Sequence, residues 1–164
     1  MLEAIKKRRS IRRYTNEPVS DEHISTLLDA AMAAPSGHGL APWEFVVVRD
    51  QELRRQLSKV HQWSSMAADA PIVFVVCGNE KLSVHWIADC SAATENLLLQ
   101  ATDLGLGAVW VGIMHNPASE REVRNILNIP STLRVLCIIP VGHPAEQKQP
   151  HTGHNPSKVH YDKY

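Results

Sequence analysis

The sequence predicts one domain of the α+β or α/β class, a central sheet with helices on both faces. Three observations lead there. Helical and strand-like hydrophobic periods alternate along the chain, one β-branched run has no polar side, and 164 residues are enough for one sizeable core. Leu2 to Ile5 is a short amphipathic opening that runs into a basic stretch, Lys6 to Arg13. Residues 20–34 read as a helix, with Ser20 as N-cap, Glu22 and His23 in the first turn, and Ile24, Leu27, Leu28 and Ala31 at helical spacing. Pro35-Ser36-Gly37-His38-Gly39-Leu40-Ala41-Pro42 stops that helix and cannot be regular structure. Trp43 to Val48 is a strand and Gln51 to Val60 an amphipathic helix. Pro71 precedes a second strand, Ile72 to Cys77, whose unbroken apolar run implies burial on both faces. The longest helix spans Val84 to Leu104, with Ile87, Cys90, Thr94, Leu97, Leu98, Ala101 and Leu104 three and four apart. Gly105-Leu106-Gly107 ends it. Ala108 to Ile113 is a strand, Ser119 to Leu127 a helix, and Leu133 to Val141 the last core strand. After Gly142-His143-Pro144 the tail is polar and lacks an apolar period until Val159 and Tyr161. The chain holds no internal repeat, and its alternation is too irregular for a simple doubly wound sheet.

Composition removes several classes of function. With 17 basic and 17 acidic residues the chain is formally neutral, unlike most nucleic-acid-binding domains. The N-terminus turns basic at once and has no apolar signal-like segment, and no apolar run is long enough to cross a bilayer. Cys77, Cys90 and Cys137 form no CxxC pair and sit in apolar surroundings, as expected of a reducing compartment. A cytoplasmic protein is the expectation. GxxxxGK[ST], GxSxG, HExxH and EF-hand signatures are missing. Gly105-x-Gly107 follows a helix and precedes a strand, the reverse of a dinucleotide fingerprint.

Against this neutral background, six of the eight residues from Lys6 to Arg13 are cationic. If the chain runs extended beyond Arg8, then Arg8, Ser10 and Arg12 share one side. Two guanidinium forks around a hydroxyl suit a phosphate monoester. A solvated basic face and a nucleic-acid patch are the competing readings of this stretch.

Four motifs then resemble the nitroreductase family of flavin enzymes. They are Arg8-Arg9-Ser10-Ile11-Arg12 with Tyr14; Ala33-Ala34-Pro35-Ser36-Gly37 followed by Pro42-Trp43-Glu44-Phe45; Asn96 to Ala101 leading through Gly105-Leu106-Gly107 to Trp110-Val111-Gly112; and Val141-Gly142-His143-Pro144. The tail from Lys158 to Tyr164 resembles the C-terminus of the family's shorter members. The resemblance implies an α/β/α layered α+β fold with a mixed, largely antiparallel sheet, and a C-terminal extension lying on a partner subunit. It implies one FMN per subunit of a homodimer, reduced by NADH or NADPH and reoxidised by a nitroaromatic, a quinone or a similar acceptor in ping-pong fashion. Arg8, Arg9, Ser10 and Arg12 would hold FMN. Pro35, Ser36 and Gly37 would reach the partner's flavin, and Trp110, Val111, Gly112 and Ile113 would lie beside the ring, where a backbone N–H can donate to N5. The cofactor carries the chemistry, so no catalytic side chain is assigned.

The chain departs from the family pattern in its tail. His151 and Gly153 stand where relatives carry cations, which leaves His151 as the tail's phosphate contact. No counterpart of the mid-chain group that larger relatives aim at the flavin's pyrimidine edge is evident, Gln62 being the nearest. Nine histidines invite a metal, but the spacing of His151, His154 and His160 fits no zinc framework, so none is expected. Trp63 and Trp86 read as walls or core, and Glu44, Asp89 and Glu95 as surface charges. A flavin-binding redox sensor of low turnover and a flavin-dependent dehalogenase are the alternative functions.

Overall fold

The β-branched run becomes the buried spine of the sheet: β2, Ile72–Gly78, is inaccessible along its whole length in the computed structural model, which describes residues 1–151 and 153–164. β1 (Trp43–Val48) pairs with one edge of β2 and β5 (Arg134–Gly142) with the other, both antiparallel. Two strands of two residues each, β3 (Gly107–Ala108) and β4 (Val111–Gly112), pair antiparallel with the far edge of β5. The order is β1-β2-β5-β3, with β4 beside β5. A parallel bridge from Ser10 to Ala108 makes the sheet mixed.

Alternation along β2 creates the layers. Ile72, Phe74 and Val76 face α2 (Asp21–Met32) and α4 (Trp86–Asp103), while Val73, Val75 and Cys77 face the side of α3 (Gln51–Leu57) and α5 (Pro117–Leu127). A bulge at Leu136 sets two residues of β5 against one step of β2, so Val135 and Ile138 fall on one face and Cys137, Ile139 and Val141 on the other. The three cysteines are free and buried, and burial pushes the Cys77 and Cys90 thiols up to about 12.

Several boundaries differ from the sequence reading. The long helix starts at Trp86 instead of Val84, because the Asn79 side chain accepts from the N–H groups of Lys81 and Leu82 and the Ser83 hydroxyl from that of His85, holding turns there. α5 starts two residues early, capped by Asn116, whose side chain accepts from Ala118 N and Ser119 N, with Pro117 in the first turn. α3 ends at Leu57 and gives way to turns. The strand expected over 108–113 is split in two. Val109 N–H donates to Pro140 O, but proline has no N–H to return to Val109, and the ladder lapses there.

The first helix, α1 (Glu3–Lys7), packs against α4. Residues 153–164 are exposed and carry one short turn, Pro156–Lys158. Among the described residues no helix is long and apolar enough to cross a membrane.

Candidate functional site

The basic segment leaves the helix where the sequence suggested. Arg8 N–H closes α1 on Ala4 O at 2.8 Å, and Arg8 itself has left the helical region (φ −56°, ψ 121°). The chain then lies along the free side of β3: Ile11 N–H donates to Ala108 O at 3.0 Å. Further on, Ala145 N–H reaches Arg13 O and Thr15 N–H reaches His143 O, both at 2.9 Å. Tyr14 Oη sits 2.6 Å from Ile11 O and 3.1 Å from Pro140 O. Burial, with a smaller contribution from the Glu146 carboxylate, raises its pKa, so it acts as a neutral donor.

Extended geometry sends alternate side chains to opposite sides. Arg9 and Ile11 line a cleft beneath the segment 144–150, where the Arg9 guanidinium bonds the Gln149 carbonyl. Ile11 packs so closely on Gly107 that a Cβ there would meet it at 2.6 Å. Arg8 turns to α4, 3.6 Å from Glu95. Arg12 reaches a different cleft, of about 400 Å³, which it lines with His61, Trp63, Trp110, Val111 and Gly112. Its guanidinium has no ion-pair partner among the described residues.

Three properties of that second cleft decide what it can hold. Val109 and Ile113 donate their N–H groups to Pro140 and Leu136 of β5, so alternation aims the N–H groups of Trp110 and Gly112 away from β5, along the open edge. Gly112 is exposed, and a Cβ added to it would meet nothing within 4 Å, so the strand is bare at that point. Arg12 is held from behind: its own N–H donates to Glu146 Oε1 at 2.6 Å, and Lys148 spans from that carboxylate to the Ser10 carbonyl. The hydrogen bond from Arg12 N–H, aided by Lys148 and Arg13 against a smaller desolvation cost, holds the Glu146 carboxyl below the usual carboxylate range. A flat, electron-accepting or anionic group fits such a place, between open N–H donors and an uncompensated cation.

The other expected residues lie elsewhere in the subunit. Ile113 is fully buried behind β4. Pro35, Ser36 and Gly37 sit against the start of α4. There Asp89 Oδ1 accepts from Gly37 N–H at 2.9 Å, Asp89 Oδ2 accepts from the Ser83 hydroxyl at 2.9 Å, and the Ser36 hydroxyl accepts from Ala41 N–H. Asp89 is therefore buried, not a surface charge, because this loop satisfies it. His151 N–H donates to Lys6 O at 3.0 Å, which brings the tail to the end of α1, with the His151 side chain exposed.

Sequence reasoning missed His61, Asp89, Glu146 and Lys148. His61 and Trp63 follow α3 on a turn and Glu146 and Lys148 flank an uninformative Gln147, where no periodicity marks them, whereas Asp89 lies on the buried stripe of α4 with Trp86, Cys90 and Ala93. Trp63, read as a wall or core, is 67% exposed on the rim of the Arg12 cleft, whereas Trp86 is core and carries the Arg134 guanidinium 5.7 Å from its ring centroid.

Comparisons with known proteins give this geometry its context. Residues 5–63 and 60–143 match the Nitroreductase family. A protein of Methanothermobacter thermautotrophicus named "Putative NADH dehydrogenase/NAD(P)H nitroreductase" is 40% identical over 167 residues, covering 100% of this chain and 87% of that protein. Among solved structures, an FMN-dependent nitroreductase from Clostridium difficile R20291 superposes with a TM-score of 0.96 at 34% identity and covers 100% of both chains. The NADPH:FMN oxidoreductase of Vibrio harveyi, solved with NAD+, gives 0.86 at 27% identity, covering 99% of this chain and 76% of that one. With most of its length matched in sequence and all of it in fold, the chain belongs to the nitroreductase family.

Proposed function

We propose that the protein is a homodimer that passes hydride equivalents from NAD(P)H to an electrophilic acceptor, a nitroaromatic or a quinone, by alternate use of the Arg12–Gly112 cleft. At the coarser level it is an FMN-dependent NAD(P)H oxidoreductase. The observation that carries the finer reading is the open edge of β4, with the Trp110 and Gly112 N–H groups facing a cleft that also holds an unpaired guanidinium.

The residues fit FMN, which when bound supplies the two-electron, one-proton chemistry. Bare backbone at Gly112 lets a flat ring approach closely, and its fixed N–H offers a hydrogen bond that needs no reorganisation. Arg12 stabilises negative charge that develops on the ring or on an acceptor beside it. Arg8 and the Ser10 hydroxyl, on the same run of chain, are the groups for the terminal phosphate, with His151 brought to the end of α1 by its backbone bond to Lys6. Pro35 to Gly37 do not line the cleft of their own subunit, and the proposal assigns them to the partner's flavin. The exposed tail, with Val159, Tyr161 and Tyr164 uncovered, is assigned to the partner's surface.

Anaerobic titration of the purified yellow protein with NADH or NADPH tests the reading. The flavin absorbance bleaches, and menadione restores it with one quinone consumed per nicotinamide oxidised, while a nitroaromatic restores it with two nicotinamides oxidised per nitro group carried to the hydroxylamine. Denaturation then releases FMN, one per subunit. Release of FAD, or no bleaching by either nicotinamide, refutes it.

A further inference from the structure

We infer that His61 is the hydrogen-bond donor that orients an oxygen-bearing electron acceptor in the Arg12–Trp110 cleft. The inference rests on the reading of that cleft as the place where hydride leaves for the acceptor.

The turn carrying His61 is rigid for reasons that owe nothing to a ligand. Ser64 is fully buried, and its hydroxyl lies 2.7 Å from His61 O and 3.0 Å from Ser58 O while accepting from His61 N–H at 3.1 Å. Ser64 N–H closes on His61 O at 3.0 Å. The contacts to His61 all use its backbone, so the side chain is left free. One ring nitrogen then receives a second constraint: Trp63 N–H donates to His61 Nδ1 at 3.2 Å. A nitrogen that accepts cannot carry the proton, so the neutral ring holds its hydrogen on Nε2. No protein acceptor takes that hydrogen among the described residues. His61 therefore presents a donor of fixed tautomer on a cleft wall, beside the exposed Trp63 indole and in the same cleft as the Arg12 guanidinium.

Such a donor matches an acceptor whose reaction places charge on oxygen. A quinone takes up two electrons and one proton as hydride, negative charge grows on its oxygens, and the second proton comes from solvent. A hydrogen bond from such an N–H to the oxygen strengthens as the charge grows. His61 gives up no proton in this scheme. Its role is a hydrogen bond, distinct from the unit charge of Arg12.

The test uses the flavin-loaded enzyme with NADH or NADPH and two acceptors, menadione and ferricyanide. Ferricyanide takes electrons singly, without hydride, and has no carbonyl oxygen to orient. The readout is kcat/KM for menadione divided by that for ferricyanide. His61→Leu is expected to lower this ratio about 10- to 100-fold, the range of a hydrogen bond to a charged group. His61→Gln, which keeps an N–H donor, is expected to restore most of it. An unchanged ratio in His61→Leu, or a Gln variant as poor as the Leu variant, overturns the inference. So does a His61→Leu protein that emerges without flavin while the parent retains it, since that makes His61 a cofactor ligand. A parent protein that takes up no flavin in reconstitution overturns the reading of the cleft itself, and the role of His61 falls with it.

Discussion

Replacing Glu146 by Ala should weaken flavin binding although Glu146 does not line the cleft. Its carboxylate accepts the Arg12 N–H at 2.6 Å, approaches Arg13 Nε at 3.7 Å and Lys148 Nζ at 3.5 Å, and is only 13% exposed. The Arg13 contact involves a side chain 73% exposed and contributes little. The bond from Arg12 is charge-assisted and partly shielded, worth about 1–2 kcal/mol after allowing for solvent. Without it Arg12 loses its own bond to the 146–148 segment, although Lys148 still reaches Ser10 O, and ordering Arg12 becomes a cost of binding. The expected rise in the FMN dissociation constant is about 5- to 30-fold. Arg12→Ala, which removes the guanidinium itself, should cost about 1.5–3 kcal/mol. Quenching of FMN fluorescence on titrating apoprotein measures both. The pH dependence has a definite sign. The folded-state pKa of Glu146 is depressed, so its contribution is complete above the ordinary glutamate pKa and fades only as pH falls through the lower folded value. The difference between parent and Glu146→Ala should thus be flat from neutral pH down to about pH 5. Equal FMN affinity in parent and Glu146→Ala refutes the argument that Arg12 is held for the ligand, and a difference that grows on acidification refutes its electrostatic basis.

Three further outcomes are expected. Gly112→Ala should leave thermal stability unchanged or slightly raised, since the new Cβ meets nothing within 4 Å, while weakening FMN binding; equal loss of both in melting and fluorescence assays counts against an open cleft floor. Glu120→Gln should destabilise the fold by about 2–3 kcal/mol, below the usual cost of breaking a buried pair because Arg134 keeps Glu80. Differential scanning calorimetry should show a fall in melting temperature of about 4–12 °C; in the parent, this stabilisation is lost as acid protonates Glu120, whose pKa is lowered because hydrogen bonds from Arg134 and Val135 N–H outweigh its desolvation. Deleting residues 155–164 should reduce dimerisation and flavin retention together, and sedimentation of a monomer that still holds FMN tightly contradicts the assignment of the tail.

Most of the fold was legible because its determinants are local. The Ser20 cap, the end of α2 ahead of Pro35 and the β-branched run at 72–77 act through neighbouring residues and appear where their chemistry says they should, although the 35–42 stretch, expected to be irregular, holds one 3-10 turn at Gly37–Gly39. The split of the 108–113 strand and the bulge in β5 arise where a distant residue intervenes. Nothing near Val109 announces that Pro140 lies opposite it, and nothing in Leu136 shows that it will bulge. The same division runs through the site. Arg12 and Gly112 stood out by composition or motif. Asp89 looked like a surface charge because the Gly37 N–H and Ser83 hydroxyl that permit its burial are 52 and 6 residues away. Glu146 lies 134 residues from the amide it accepts. A pattern confined to one window has no means of seeing such pairs.

The missing N–H of Pro140 has a consequence for motion. β5 is paired with β2 along its inner side with one bulge at Leu136, but its outer ladder has a gap midway between Ala108 and Val111. The strip bordering the cleft is therefore paired at its two ends and held between them by the single bond from Val109 N–H to Pro140 O. Local opening at Val109 and Trp110 needs fewer bonds broken than opening of the sheet proper, so their amides should exchange with deuterium well ahead of those in β2. Opening of this strip leaves the packing of the apolar interior beneath it untouched.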